Sequence, residues 1–252
     1  MIRPLRAFAI LLIGAVLAVC GASPAAAAEI EVDLALVLAV DASRSIDSYE
    51  YDLQRRGYLA ALTDARVLDA IRSGPNGAIA ITYLEWSGPG EQEVLVDWRV
   101  VRDAATASAF ANDLRVSERR LYDGTSISGA IDAAAGMFGE SGIAATRRAI
   151  DVSADGTNNR GRPAHLARDD AVKAGITING LAIINERPSR FGRAEPPLEQ
   201  YMKDNVIGGP GAFLLVVNDF ESFGEAILKK LILEISGRAP EGGFAEGSTE
   251  RR

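Results

Sequence analysis

The chain has 252 residues, 48% of them hydrophobic and 24% charged, enough for one sizeable α/β domain with a real core and too few for two large ones. Its formal net charge is −7, and an acidic surface excludes nucleic acid or an anionic membrane as a partner attracted by bulk charge. A single cysteine excludes an internal disulfide, which a domain of this size does not need.

Residues 1–28 read as a secretory signal peptide. Arg3 and Arg6 form a basic start, Ala7 to Val19 a short apolar run, and the small residues up to Ala28 an A-x-A-like cleavage region. The run is short of the ~20 residues of a spanning helix, and no later stretch is long enough to cross a bilayer. The mature chain is therefore expected to be exported, to the periplasm or beyond, with no transmembrane segment. Loss of the leader leaves 25 basic against 34 acidic residues. A minor alternative is a lipid anchor at Cys20, since Leu17-Ala18-Val19-Cys20 is like a bacterial lipobox. Val19 stands where a small residue is expected.

One domain is expected over 29–237. Val32 to Val40 is a nearly continuous apolar run, which suits a strand buried on both faces of a parallel sheet. Asp47, with Glu50 three residues later, opens a helix in the manner of a capping box, continued by Leu53, Gly57 and Ala61. Gly77 to Trp86 is a second strand. Glu93 to Trp98 follows so soon that it must be an antiparallel hairpin partner. Trp86 and Trp98 read as packing residues. Asp103 caps a helix that buries Phe110 and Leu114. A helix from about Thr125 carries Ile127, Ile131, Ala134, Ala135 and Phe138 on one stripe. Arg148 to Ser153 is a strand, and Pro163 is placed as the first residue of a helix ending at Gly175. Ile176 to Ile184 is a strand, Leu198 to Val206 a short helix and Ala212 to Val217 a last strand. Asp219 is expected to cap a final helix stopped by Gly237. Residues 238–252 are polar and glycine-rich and are expected to be disordered. This order gives a doubly wound α/β fold: a mostly parallel sheet, one antiparallel strand, and helices on both faces.

In such sheets ligands bind beyond the carboxyl ends of the strands. Three loops there are rich in small oxygen-bearing side chains: Asp41-Ala42-Ser43-Arg44-Ser45, Asp123-Gly124-Thr125-Ser126 and Ser153-Ala154-Asp155-Gly156. A hard ion such as Mg²⁺ or Mn²⁺ takes oxygen ligands and retains waters. Asp41 and Asp155 supply charge, while Ser43, Ser45 and Thr125 supply compact neutral oxygens. Gly124 and Gly156 allow close backbone approach. The cage is incomplete, so at least one position is open to water or to a ligand carboxylate. Each loop alone is also explained by helix capping or by an Asp-Gly turn; the three together favour metal.

The pattern Asp41-x-Ser43-x-Ser45, Thr125 and Asp155-Gly156 resembles the metal-ion-dependent adhesion site of von Willebrand factor A domains, over roughly residues 30 to 236. More narrowly, the chain resembles exported bacterial A-domain-like proteins of unknown function. The resemblance implies Mg²⁺ or Mn²⁺ held directly by Ser43, Ser45 and Thr125, with Asp41 and Asp155 bound directly or through water. It also implies an acidic group of a protein or peptide partner completing the shell. Around these, Asp151 and Ser153 share a strand face with Asp155 and are expected to support the metal loops. Asp123 is expected to orient the Thr125 loop, with Ser126 beside it. Asn158 and Asn159 are candidates for the ligand rim. His165 reads as a surface or packing residue rather than a ligand. The motif loops lack histidine, cysteine and a nucleophile motif, which favours a binding module over an enzyme. The alternatives are a metal-dependent hydrolase of phosphate esters and a scaffold with a purely structural metal.

Overall fold

The computed structural model describes residues 29–184, 196–218, 220, 222–238 and 244–246. The proposed leader with Cys20, residues 185–195 and Asp219 lie outside them. In chain order the elements are β1 (Ile30–Asp41), α1 (Ser48–Leu62), α2 (Ala65–Arg72), β2 (Ile79–Trp86), β3 (Gln92–Val101), α3 (Ala104–Val116), α4 (Ile127–Met137), β4 (Ile143–Ala154), α5 (Ala164–Lys173), β5 (Thr177–Ile183), α6 (Leu198–Asn205), β6 (Leu214–Val217), α7 (Phe223–Ser236) and β7 (Phe244–Glu246). A 3₁₀ turn, Phe138–Glu140, follows α4.

The strands form one sheet in the order β3-β2-β1-β4-β5-β6-β7. All neighbours are parallel except β2 and β3, because Ser87 to Glu91 is too short for a crossover. β1 is an interior strand, and from Val32 onward every one of its residues is buried. That explains its near-continuous apolar sequence, since helices cover both faces. On one face Leu34, Leu36 and Leu38 meet α1, α2, α3 and α7. On the other, Ala35, Val37 and Ala39 meet α4, α5 and α6. Among the described residues no helix is long and apolar enough to cross a membrane.

Asp47 and Asp103 both form capping boxes, at α1 and α3, and Gly237 ends α7 in the left-handed conformation, φ 66°. Three expectations change. Pro163 is the N-cap of α5 rather than its first residue; its ψ of 133° keeps it extended. α2 is an additional helix, capped by Asp64, with Val67, Leu68 and Ile71 buried. The polar tail contributes β7, which pairs with β6, because a sheet edge presents unpaired backbone groups that template a further strand.

Candidate metal centre

β1 delivers Asp41 to the carboxyl edge of the sheet, and the Ala42 amide extends the pairing by donating to Trp86 O (2.9 Å). The chain then turns: Ile46 N donates to Ser43 O (3.1 Å), and Asp47 starts α1. Asp41 Oδ1 accepts the Ser43 amide (2.8 Å). Ser43 Oγ lies 3.1 Å from Ser45 Oγ, and Ser45 Oγ donates to Asp155 Oδ1 (2.7 Å). The loops after β1 and β4 are thus joined through oxygen atoms. Asp41, Ser43, Thr125 and Asp155 are buried, while Ser45 is exposed on the solvent side.

The Thr125 loop is fixed from two directions. Its neighbour Ser126 is fully buried, donates its amide to Ser87 O (2.8 Å) and caps α4 by accepting Gly129 N (3.2 Å). Thr125 N donates to Asn159 Oδ1 (3.0 Å), and Thr125 O accepts the amides of Asn159 and Arg160. Asn158 Oδ1 accepts Ser128 N (3.0 Å) while its amide nitrogen donates to Arg162 O (3.1 Å). Asn158 and Asn159, expected at the ligand rim, are therefore braces between the β4 loop and the start of α4. Asp123, expected to orient the Thr125 loop, contacts the first loop instead: its carbonyl accepts Arg44 N (2.9 Å), and its carboxylate lies 3.6 Å from the Arg44 guanidinium. At Gly156 a Cβ would lie 4.0 Å from Thr125 Oγ1, so the third loop runs close to the second.

Asp151 and Ser153 are a correction. They share the strand face of Asp155, but they serve the core under α7. Asp151 lies 2.6 Å from Lys230 Nζ, which also meets Glu234 Oε1 at 2.6 Å, and Asn179 completes the group by donating to Glu234 Oε1 (3.0 Å). Ser153 faces the Tyr58 hydroxyl. The strand advances about 3.3 Å per residue, and that distance puts these positions beside helix partners before it reaches the loops.

Sequence reading missed Arg119. Its Nη2 donates to Ala42 O (3.0 Å) and Ser43 O (2.9 Å), and its Nε donates to Leu121 O (3.2 Å). Its guanidinium carbon sits 4.9 Å from the Tyr51 ring and 4.4 Å from the Tyr122 ring, a double cation–π seat. The only advance signal was an arginine in a polar run, which has no periodicity to read.

The residues present fit a divalent cation. Asp41 Oδ2 is buried without a hydrogen-bond partner, an arrangement that costs free energy unless something positive faces it. Burial first, and the Asp155 carboxylate second, push the Asp41 pKa up to about 8. The donor set is all oxygen, as hard cations require. Among the described residues no cluster of three or more His, Cys, Asp or Glu forms a metal cage, so the hydroxyls of Ser43, Ser45 and Thr125 are needed. Beside the site lies a cleft of about 500 Å³ lined by Arg44, Gln92, Arg120, Leu121, Tyr122 and Asp123 among others.

A family model described as "Protein of unknown function (DUF1194)" matches residues 31–239. No curated protein matches the chain. Among solved structures it is similar to proximal thread matrix protein 1 from the mussel byssus, with a TM-score of 0.59 and 14% identity over 83% of this chain and 50% of that one. A structure of the same protein with a zinc-occupied MIDAS motif matches with a TM-score of 0.59, 18% identity and the same coverage. The von Willebrand factor type A protein from Catenulispora acidiphila matches with a TM-score of 0.55 and 13% identity over 81% of this chain and 43% of that one. The chain thus spans about half the length of these structures. They share the fold, a von Willebrand factor A-like α/β domain.

Proposed function

The chain belongs to the DUF1194 family and has a von Willebrand factor A-like fold, and on that premise we propose that it is an exported binding module that holds an acidic protein or peptide group through a divalent metal ion. The observation that carries this reading is the buried, unpartnered Asp41 Oδ2 at the strand edge where Ser43, Ser45, Thr125 and Asp155 gather. Asp41 and Asp155 would hold the cation by charge, and Ser43, Ser45 and Thr125 by neutral oxygens. Mg²⁺ or Mn²⁺ is the preferred ion, and the zinc in the byssus protein's site makes Zn²⁺ a necessary comparison.

The bound ion would supply fixed positive charge that attracts a carboxylate oxygen. The protein's part is to keep the oxygen ligands in place before the ion arrives. Ser45 and the third loop's Gly156 leave the solvent side open. Arg44, whose side chain is 73% exposed, stands at the lip of the 500 Å³ cleft, placed to meet a second acid on the partner. The apolar run and small residues of 1–28 support export.

Calorimetric titration of Mg²⁺, Mn²⁺ and Zn²⁺ tests the site, alongside Asp41→Ala and Thr125→Ala. Saturable binding lost in both variants supports the reading. Where wild type is silent, a repeat with a small carboxylate present decides, and silence there as well rejects a metal-dependent function.

A further inference from the structure

We infer that a cleft between α1 and the end of α3 is a second binding site, for a phosphate dianion, separate from the metal loops. The cleft has a volume of about 460 Å³ and is lined by Tyr51, Asp52, Arg55, Arg56, Leu59, Arg115 and Ser117. Three guanidiniums face one carboxylate in a chain whose formal net charge is −7. Such a local reversal of sign draws an anion to one place on an otherwise acidic protein.

The cations differ in a way that suits binding. Arg55 is buried at the back of the cleft and rigid: Nη1 donates to Tyr51 Oη (2.6 Å), and Nη2 donates to Ser117 Oγ (2.6 Å) and to Leu114 O. Its charge is shared with Glu85, 3.7 Å away. Arg56 and Arg115 are exposed arms. Arg56 Nε bonds the Asp52 carbonyl (3.2 Å) and Arg115 Nη1 bonds Asn112 Oδ1 (3.2 Å), and both are neutral acceptors. Arg66, Arg72, Arg99 and Arg120 each lie against a carboxylate. Arg56 and Arg115 form no such ion pair among the described residues. Arg55 adds positive charge at the back, and the two exposed guanidiniums have donors for an oxyanion with several acceptor oxygens. Two exposed guanidiniums without a carboxylate partner among the described residues favour a dianion over a carboxylate, since each additional unit of charge adds its own Coulomb attraction.

The test is calorimetric titration of inorganic phosphate at pH 8 into the purified protein freed of divalent metal with EDTA. Glycerol 2-phosphate is run in parallel, the tighter of the two identifying free phosphate or an ester as the source. Saturable binding is expected, weakened at least about tenfold in the Arg56→Gln/Arg115→Gln double variant. It is expected to be unchanged in Asp41→Ala, which keeps this site independent of the metal reading. Asp52→Asn, which removes the opposing carboxylate, is expected to tighten binding, a gain that misfolding would not produce. Absence of saturation in wild type overturns the site. So does wild-type affinity in the double variant, or competition by acetate as effective as that by phosphate.

Discussion

Arg119 shows how much of the proposed metal site depends on a residue outside the motif. The motif supplies oxygens, but the Ala42 and Ser43 carbonyls are held by a guanidinium seated between Tyr51 and Tyr122. A lysine keeps the charge and loses both the planar fork and the stacking. Arg119→Lys is therefore expected to weaken metal binding about 10–100-fold, as loss of outer support does elsewhere, with the melting temperature of the metal-free protein little changed. Equal affinity in calorimetry would reduce Arg119 to surface packing. Lys230 belongs to the same scale. Burial opposes its charge, but Asp151 and Glu234 outweigh burial and raise its pKa. Lys230→Met leaves two buried carboxylates without their cation, and urea denaturation is expected to show a loss of about 3–5 kcal/mol. The five candidate positions could be picked out in the sequence because small polar residues stand out after strands and before helices. The separation of Asp155 from Asp151 and Ser153 could not, since alternation gives a face and not a depth. Lys230 and Glu234 were hidden differently. They lie on the stripe of Phe223, Ile227, Leu231 and Ile235, and only their partners across the sheet, Asp151 and Asn179, explain their burial.

At the level of elements, α1 is tied to the loop after β1 at one end and to α7 along its length. Its start is set by the Asp47 box, in which Asp47 Oδ1 accepts the amides of Tyr49 and Glu50 and Glu50 Oε2 accepts Asp47 N. Its middle approaches α7 closely at Gly57, where a Cβ would meet Phe223 Cδ1 at 2.8 Å and Gly224 Cα at 3.1 Å. An alanine there would gain about 1 kcal/mol of helix propensity and lose more to the clash. A larger residue has no offset, so Gly57→Leu is expected to destabilise by at least about 1–3 kcal/mol, read as a lower melting temperature in calorimetry. An unchanged melting temperature would mean that α7 yields freely. The sequence showed most elements because periodicity and caps agreed for them. β1 announced its burial on both faces, the β2–β3 hairpin followed from connection length, and Gly237 marked the stop of α7. α2 escaped because it has eight residues, barely two turns, and merges with the C-terminal end of α1. β7 escaped because its strand is templated by β6 and not by its own pattern.

For the molecule as a whole, the acids buried on the α1 and α7 face make stability depend on pH in the opposite sense to ordinary surface carboxylates. Glu85 is fully buried. Burial raises its pKa from 4.5 to about 7, while Tyr51, Arg55 and Arg119 pull it back and Glu93 adds to the rise. Below pH 4.5 the carboxyl is protonated folded or unfolded and contributes no difference. Between 4.5 and about 7 the folded protein retains a proton that the unfolded chain has released. Stability then falls as pH rises, by at most about 1.4 kcal/mol per pH unit for one group. Above about 7 both states are ionised, and the full cost of a buried charge remains. Glu234 is also raised to about 7, by burial first and by Asp151 second, and adds a contribution of the same sign. Glu85→Gln keeps an oxygen to accept the Tyr51 hydroxyl bond (2.6 Å in wild type) and removes the titration. Urea denaturation of both proteins at pH 5, 6, 7 and 8 isolates Glu85, because every other group cancels in the comparison. The stability of wild type relative to Glu85→Gln is expected to decline from pH 5 to 7 and to level off by pH 8. Parallel curves would mean that Arg55, 3.7 Å away, keeps Glu85 ionised throughout.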